Sequence, residues 1–459
     1  MADKNVEMAQ RVARAVAAEG GRTYYVGGFV RDRLLGRDNK DVDVEVHGIS
    51  VRALEKVLDE LGERLAMGES FGIMGLRHYD LDIAMPRTER AVGDGRRDFE
   101  AGIDPFVGPE QAARRRDFTI NALMEDVLTG EVLDFFGGRE DLARGRIRHV
   151  DSSTFVEDHL RVLRAAQFAA RFGFEVSSET RDLCATLDLS GLAGERIFGE
   201  LEKALLKSER SSVFFEELRR MGQLGVWFVE VEALIGVPQN QAYHPEGDVW
   251  THTMQVVDRA ACMRERATNP LGFMLAALCH DFGKATAKQE VNDVIHAYGH
   301  EIEGVPLARR FLGRMTRDRR LASYVANMVE LHMRPNLFVT NGSHTKKYMR
   351  LFDVSNCPED LLLLARADHE GRVSADGLTR PEDYAPVEEA LQQMLAEYRR
   401  RMAQPYATGR DLIEAGFAPN SAFGEALAYA HKLRLAGRPK EEQIASAAAV
   451  LRKAGKTSA

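Results

Sequence analysis

The sequence predicts an α/β head built on a mixed sheet, followed by an all-α body of many helices. Three observations carry this prediction. Short alternating apolar runs (TYYVGG, VDVEV, YDLDIAM) crowd the chain before about residue 140 and nearly vanish after it. From about residue 155, DHLRVLRAAQFAARF opens a succession of segments with helical periodicity. The length of 459 residues suffices for several domains, each with its own core.

Residues 4–18 carry an apolar stripe of Val6, Ala9, Val12, Ala13, Val16 and Ala17, the spacing of a helix. TYYVGG is a short strand ending in Gly27 and Gly28, and FVRDRLLG is a short helix closed by Gly36. VDVEV and YDLDIAM alternate as strands, and GEVLDFFGG keeps a strand-and-turn character. Helices are then expected at 179–188, 195–206, 211–222, 250–265, 271–280, 300–313, 319–332, 359–369, 386–401 and 422–436. Joints fall at GLAGER near 191–196, GVPQNQAYHPEGD near 236–248 and DGLTRPEDYAP near 376–386. The expected regions are a head (1–150), a helical neck (151–240), a histidine-bearing region (241–375) and a helical tail (376–459).

Composition excludes some classes. With 44% hydrophobic and 29% charged residues the chain is neither disordered nor collagen-like. A net charge of −8 argues against a generally basic nucleic-acid binder but not against a local basic face. Residues 301–350 hold such a face in sequence, with ten Lys or Arg against four acids. The four cysteines form no Cys-x-x-Cys pair and read as buried free thiols of a reducing cytosol. No apolar run approaches the roughly 20 residues of a membrane helix, and MADKNVEMAQ lacks a signal pattern. The expected location is the cytoplasm, with no membrane partner.

Chemistry is legible in two places. Gly27 and Gly28 let backbone approach a ligand closely, and the helix they open, with Arg31 and Arg33, suits phosphate. Asp41 and Asp43 share one strand face, where two carboxylates repel unless a cation lies between them. Hard oxygen ligands favour Mg²⁺ shared with substrate phosphates. A third carboxylate, Asp80 or Asp82, comes from YDLDIA, and three carboxylates with two metals and a triphosphate make a phosphoryl-transfer site. In the body, His252, the adjacent His280-Asp281 and Asp368 form a mixed N/O set for a divalent ion (Mg²⁺, Mn²⁺ or Ni²⁺), and His300 and His332 complete a second site.

The ordered set GGFVRDRLLG, KDVDVEV, MPRTER, RRRDFTINAL, LDFFGGREDL, EDHLRVLRAAQFAARFGF and ERIFGEL, over about residues 22–205, resembles the class II tRNA nucleotidyltransferases. That family includes CCA-adding enzymes and bacterial poly(A) polymerases. The resemblance implies a nucleotidyltransferase-type head in which Asp41 and Asp43 bind the metals and Asp82 is the third catalytic carboxylate. It implies nucleotide contacts by Gly27, Gly28 and Arg31, triphosphate and ribose contacts by Arg116 and Asp117, and Asn121 nearby. Glu157-Asp158-His159-Leu160-Arg161 resembles the family's amino-acid template. There a carboxylate accepts from the exocyclic amine of C or A and a guanidinium donates to a ring nitrogen. Arg164 would reach the phosphates. The chain departs from the family at His159, where Pro is usual, and at Gln167, where many members have another arginine.

The histidine set over about residues 244–375 resembles the HD phosphohydrolase domain, with Lys284 in the place of its phosphate-side lysine. His244 and His296 lie near the pattern without an assigned role. The implied function is template-independent addition of CMP and AMP, from CTP and ATP, to tRNA 3′ ends, with an HD-domain phosphatase or 2′,3′-cyclic phosphodiesterase beside it. The rival readings are an A-adding enzyme, a CC-adding enzyme or a poly(A) polymerase, an HD phosphohydrolase whose head only binds nucleotide, and a non-catalytic RNA-binding factor. The long polar segment from Arg87 to Arg114 resembles the flexible loop of full CCA-adding enzymes. The tail resembles the helical C-terminal segment of HD-bearing members.

Overall fold

A computed structural model describes residues 2–66, 73–91, 99–240, 244–291, 294–372 and 381–457. The chain divides into two compact units. One runs through Leu192 and includes Val213–Gln223; the other comprises Ala193–Ser212 and the chain from Leu224 onward.

The first unit is built on a seven-stranded mixed sheet. Its strands are β1 (Arg22–Val26), β2 (Val42–His47), β3 (Arg64–Ala66), β4 (Ile73–Leu76), β5 (Leu81–Ala84), β8 (Met124–Asp126) and β9 (Val132–Leu133); β6 (Arg87–Ala91) and β7 (Phe99–Ile103) form a separate hairpin. The sheet order is β3-β4-β5-β2-β1-β8-β9. β1 lies antiparallel between β2 and β8, and β2 runs parallel to β5. Val42, Val44 and Val46 of β2 are buried while Asp43 stays half-buried on the opposite side. That is the two-residue period of a strand with one apolar and one functional face.

The helix Val51–Leu61 has no counterpart among the expected elements. It is capped by Ser50, whose hydroxyl accepts from Ala53 N, and buries Leu54, Val57 and Leu58. GEVLDFFGG forms little strand: after the two residues of β9 the Asp134 carboxylate accepts from Gly138 N and Arg139 N and turns the chain. In the polar segment Arg87–Arg114, residues 92–98 lie outside the described residues; the ends of the segment are β6, β7 and the helix Pro109–Arg114.

Among its described residues the second unit is helical, as expected, apart from Gln289–Val291 and Val294–His296, which pair as a short antiparallel hairpin, and a lone bridge between Pro238 and Asp248. Its most apolar helix, Pro270–Cys279, starts at a Pro after an Asn269 cap and is buried from Gly272 to Cys279. It packs against Val249–Met263, Arg319–Leu331 and Pro358–Glu370. The joint expected at 376–386 lies partly outside the described residues (376–380), and from Pro381 the chain is helical through Ala403, with Pro386 inside the helix. Burial of Tyr384, Leu391 and Leu395 outweighs the backbone hydrogen bond that Pro386 cannot donate. Residues 241–243 of the 236–248 joint also lie outside the described residues.

All four cysteines are free, but Cys262 is exposed rather than buried. Among the described residues no helix is long and apolar enough to cross a membrane. Of the basic residues in 301–350, Arg314 is anchored on Glu230 and Trp227 O, whereas Arg309, Arg310, Arg317, Arg319, Arg320, Lys346, Lys347 and Arg350 are exposed.

Candidate functional site

The head site arises from strand register. β2 and β5 are parallel with Asp43 opposite Asp82, so these two carboxylates project side by side. Asp41 is exposed just before β2, its backbone N–H held by Asn39 Oδ1 at 3.0 Å. Asp80 is exposed just before β5. Burial, then the neighbouring charges of Asp82, Asp41 and Asp80, push Asp43 up to about 6. Burial, Asp80 and Asp41 raise Asp82 as well. A site that penalises its own charge in this way has the donor chemistry for Mg²⁺. Asp41, Asp43 and Asp82 are nonetheless not gathered within 4.8 Å of one another; among the described residues, the groups that are lie in the second unit.

These shifts make the head pH-dependent. A carboxyl whose folded pKa is raised stabilises the fold when protonated, so the metal-free head loses that contribution as pH rises through about 6. Conversely, a divalent cation binding these carboxylates has to displace a proton below that pH. Affinity of the head for an added divalent cation is therefore expected to fall by about tenfold per unit as pH drops below 6, read by titration of a variant with a disabled second unit.

Next to these aspartates, Glu45 and Ala84 continue the same strand faces into a cleft of about 330 Å³ whose lining includes Arg115, Arg116 and Arg161. Arg116 donates to Glu45 Oε2 at 3.3 Å, and His47 Nε2 lies 2.8 Å from Glu45 Oε1. Burial would raise the Glu45 carboxyl, but His47 and Arg116 outweigh it and hold it below the usual range. Sequence reasoning missed Glu45, although Asp41-Val42-Asp43-Val44-Glu45 places it on the same face. Gly27 has φ +63, a region that favours glycine, and a Cβ there would come within 3.0 Å of Arg116 Nη1.

Asp158 Oδ1 accepts from Leu160 N and caps the turn before the helix Arg161–Phe172. That helix begins at Arg161, after His159, whose Nδ1 lies 2.5 Å from Asp188 O. Arg161 donates to Thr154 O at 2.6 Å and Arg115 O at 2.8 Å, which fixes the guanidinium plane at the cleft. Two of its five donors are used there.

Four predicted residues form one chain of bonds. Arg31 donates to Asn121 Oδ1 at 2.6 Å, Asn121 to Asp117 Oδ1 at 3.0 Å, and Arg164 to Asp117 Oδ2 at 2.7 Å. Arg31 is buried, paired with Asp32 and packed over the rings of Phe172 and Phe168 at 4.6 and 5.3 Å. Burial would raise the Asp117 carboxyl; Arg164, Asn121 and Phe118 N–H outweigh it and keep it ionised. The chain ties the Gly28–Leu34 helix to the Arg161–Phe172 helix. Asp117→Ala is expected to cost about 3 kcal/mol, because it orphans several buried donors, and to show as a lowered urea midpoint. Gln167 is buried, and its Nε2 makes no hydrogen bond among the described atoms.

The second unit gathers the histidines. His280 and Asp281 come directly after the buried helix Pro270–Cys279, His332 caps Arg319–Leu331, and His300 opens a helix after Gly299. Of the predicted residues, His252, His280 and Asp281 gather in one group and Asp281, His300 and His332 in another, while Asp368 joins neither group and meets His252 alone among the described histidines. Asp281 Oδ1 lies 3.3 Å from His300 Nε2 and 3.8 Å from His332 Nε2; Asp281 Oδ2 lies 3.2 Å from His280 Nε2 and 3.8 Å from His252 Nε2. Asp368 Oδ1 is 3.1 Å from His252 Nε2. Nδ1 of His280, His300 and His332 each faces the carbonyl three residues earlier at 2.7–2.8 Å. A donor Nδ1 there leaves each Nε2 lone pair pointing inward.

His280 Nε2 and Asp281 Oδ2 make no well-directed hydrogen bond, despite their short approaches to each other and, for Oδ2, to Lys284 Nζ at 2.7 Å. Such inward, under-used donors fit a divalent ion. Burial alone would raise the Asp281 carboxyl, but His280 and Lys284 hold it well below the carboxylate range. Arg372 approaches Asp368 at 3.3 Å and, with Lys284, adds positive charge beside the cluster. A Cβ on Gly283 would sit 2.0 Å from His300 O, so the backbone behind Asp281 packs as only glycine permits. Glu246 and Arg372 were not read from the sequence.

Residues 23–148 match the Poly A polymerase head domain, and residues 249–372 match the HD domain. The Multifunctional CCA protein of Pasteurella multocida (strain Pm70) is 38% identical over 408 residues, covering 86% of this chain and 92% of that protein. The Multifunctional CCA protein of Nitrosococcus oceani is 36% identical over 420 residues, 88% and 94% of the two chains. Among solved structures, the Bacillus stearothermophilus CCA-adding enzyme in complex with CTP superposes with a TM-score of 0.66 at 21% identity over 98% of each chain. The Thermotoga maritima CCA-adding enzyme complexed with tRNA gives 0.61 at 20% identity, over 97% of this chain and 95% of that one. At such identities the likeness is one of fold.

Proposed function

The chain belongs to the Multifunctional CCA protein family, and from this premise we infer that it is a template-independent CCA-adding tRNA nucleotidyltransferase whose HD domain is a metal-dependent phosphohydrolase. The observation that carries the first activity is the parallel register of Asp43 and Asp82 beside an arginine-lined cleft. Bound Mg²⁺ would neutralise the triphosphate and lower the pKa of the attacking tRNA 3′-hydroxyl. Asp41, Asp43 and Asp82 would hold it. Gly27 and Gly28 keep the backbone open at the phosphates, and Arg116 steadies them. The hydroxyl attacks the α-phosphate of CTP or ATP in line, and pyrophosphate leaves. Asp158 accepts from the exocyclic amine of C or A while Arg161 donates to the ring. Arg31, Asn121, Asp117 and Arg164 brace the helices that carry these groups. Action on tRNA is consistent with the cytoplasmic location expected from the sequence. The head corresponds to 1–150, the nucleotide-selecting neck to 151–240, the HD region to 241–375 and the tail to 376–459.

In the HD centre, His252, His280, Asp281, His300, His332 and Asp368 would hold one or two divalent ions (Mg²⁺, Mn²⁺ or Ni²⁺), and Lys284 and Arg372, beside Asp281 and Asp368, would meet the phosphate. The metal would supply an activated water for phosphate-ester hydrolysis.

The deciding experiment offers purified protein three trimmed tRNAs, lacking CCA, CA or A, with each nucleotide separately. Extension of all three supports full CCA addition. Extension of only the last means an A-adding enzyme, stopping after C means a CC-adding one, and open-ended A incorporation means a poly(A) polymerase. Arg161→Ala is expected to lower CTP and ATP incorporation by roughly ten- to a hundredfold, the worth of one charge-assisted hydrogen bond, and to admit UTP or GTP. Steady-state incorporation of all four nucleotides checks this.

A further inference from the structure

One ligand of the HD centre is held differently from the others. His280, His300 and His332 each turn Nδ1 to a backbone carbonyl. His252 sits in the first turn of its helix and turns Nδ1 to a side chain instead, with Glu246 Oε1 at 2.9 Å. The Glu246 carboxylate is wholly buried, and the same oxygen lies 2.8 Å from His244 Nδ1. The His244 ring covers His252 edge to face at 4.7 Å. The His252 contact is close in distance but not well directed.

We propose that Glu246 is a positioning residue for the HD centre: it holds the proton of His252 on Nδ1 and so presents the Nε2 lone pair to the site shared with Asp281 and Asp368. A carboxylate behind a metal-ligating imidazole fixes ring orientation and tautomer and raises the basicity of the ligating nitrogen. His244, the less buried of the two histidines, closes the outer side of Glu246. The competing arrangement is a separate cation held by His244, Glu246 and His252, whose ligand atoms also lie within 4.8 Å of one another. It would need a metal on Nδ1 of His252 as well as Nε2, and hence an imidazole stripped of both ring protons. The positioning role rests on the phosphohydrolase reading of the HD domain and deepens it.

The test uses the full-length protein and its Glu246→Ala, Glu246→Gln, Glu246→Asp and Asp281→Asn variants. Co²⁺ is titrated by equilibrium dialysis with its visible absorption recorded, and hydrolysis of bis(p-nitrophenyl) phosphate is measured in parallel. Asp281-dependent uptake defines the HD centre. The expected result is that Glu246→Ala binds Co²⁺ at that centre about 10–100-fold more weakly, at unchanged stoichiometry and with an altered spectrum. Glu246→Gln is expected to fall between it and the wild type, and Glu246→Asp to restore part of the affinity. Thermal midpoint and nucleotide addition by the head report folding, and the isosteric Glu246→Gln keeps the test valid if the alanine variant melts early. Wild-type affinity and spectrum in Glu246→Ala overturn the proposal. Loss of one bound ion with the Asp281-dependent ion unaffected also overturns it, because Glu246 is then a ligand of a separate site. Absence of any Asp281-dependent uptake in the wild type overturns the phosphohydrolase reading and the positioning role together.

Discussion

Asp43→Asn is expected to lower CMP and AMP incorporation by on the order of a thousandfold or more, while the metal-free head becomes slightly more stable at neutral pH. The two effects have one cause. Asp43 stands beside Asp82 across two parallel strands, and burial with the nearby carboxylates pushes it up to about 6. Removing its charge relieves the burial penalty and that repulsion, a gain of at most about 3 kcal/mol and less once solvent screens the half-buried group. It also removes a ligand from a site where metal-borne charge stabilisation is worth several kcal/mol, and each 1.36 kcal/mol is tenfold in rate. Single-turnover incorporation on a tRNA lacking CCA measures the first effect, and chemical denaturation in EDTA at pH 7.5 the second. A variant that stays active, or one that is inactive because it is unfolded, defeats the assignment. Hydrolysis by the second unit serves as internal control, since its ligands all lie in that other unit.

Asp281→Asn is expected to abolish phosphodiesterase activity, again by about a thousandfold, with nucleotide addition retained. Asp281 is shared by two of the convergent groups, one with His252 and His280 and one with His300 and His332, so its loss disturbs both. The substitution also leaves Lys284 without its buried counter-charge. In the metal-free wild type Asp281 is held well below the carboxylate range, so its stabilising contribution is present at neutral pH and fades as the solution is acidified. The asparagine variant is expected to lack that acid-sensitive component, which is lost below the ordinary carboxylate pKa and which a melting series from about pH 5 down towards pH 2 would display. Residual hydrolysis at the wild-type rate would place the chemistry elsewhere.

Much of the fold and of both sites was legible in the sequence because the chemistry sits in short segments. Asp41-Val42-Asp43 and His280-Asp281 each place their ligands within a few residues, and strand or helix geometry does the rest. The long helices were legible for the same reason, since a 3.6-residue apolar stripe is a local signal. What stayed hidden depends on tertiary packing. The choice between Asp80 and Asp82 as the neighbour of Asp43 is a matter of strand register, which residue spacing alone left open. The helix Val51–Leu61 is the exception, because Val51, Leu54, Val57, Leu58 and Leu61 recur at helical spacing behind a Ser50 cap, a local signal as plain as that of the longer helices. Arg31 and Asp117 read as phosphate and ribose contacts, yet their polar atoms meet one another through Asn121, a pairing 90 residues apart in the chain. Glu246 lies in a loop between Pro and Gly, where nothing in the local pattern distinguishes a buried carboxylate from a solvated one.

The chain of bonds from Arg31 through Asn121 and Asp117 to Arg164 has a consequence for how such a head changes over generations. Each member satisfies the next, so a single replacement strands a partner in a buried place, whereas a matched pair of replacements need not. These four positions are therefore expected to change together rather than singly. Recombination between distant homologues that splits residues 31–121 from residue 164 is expected to inherit the mismatch.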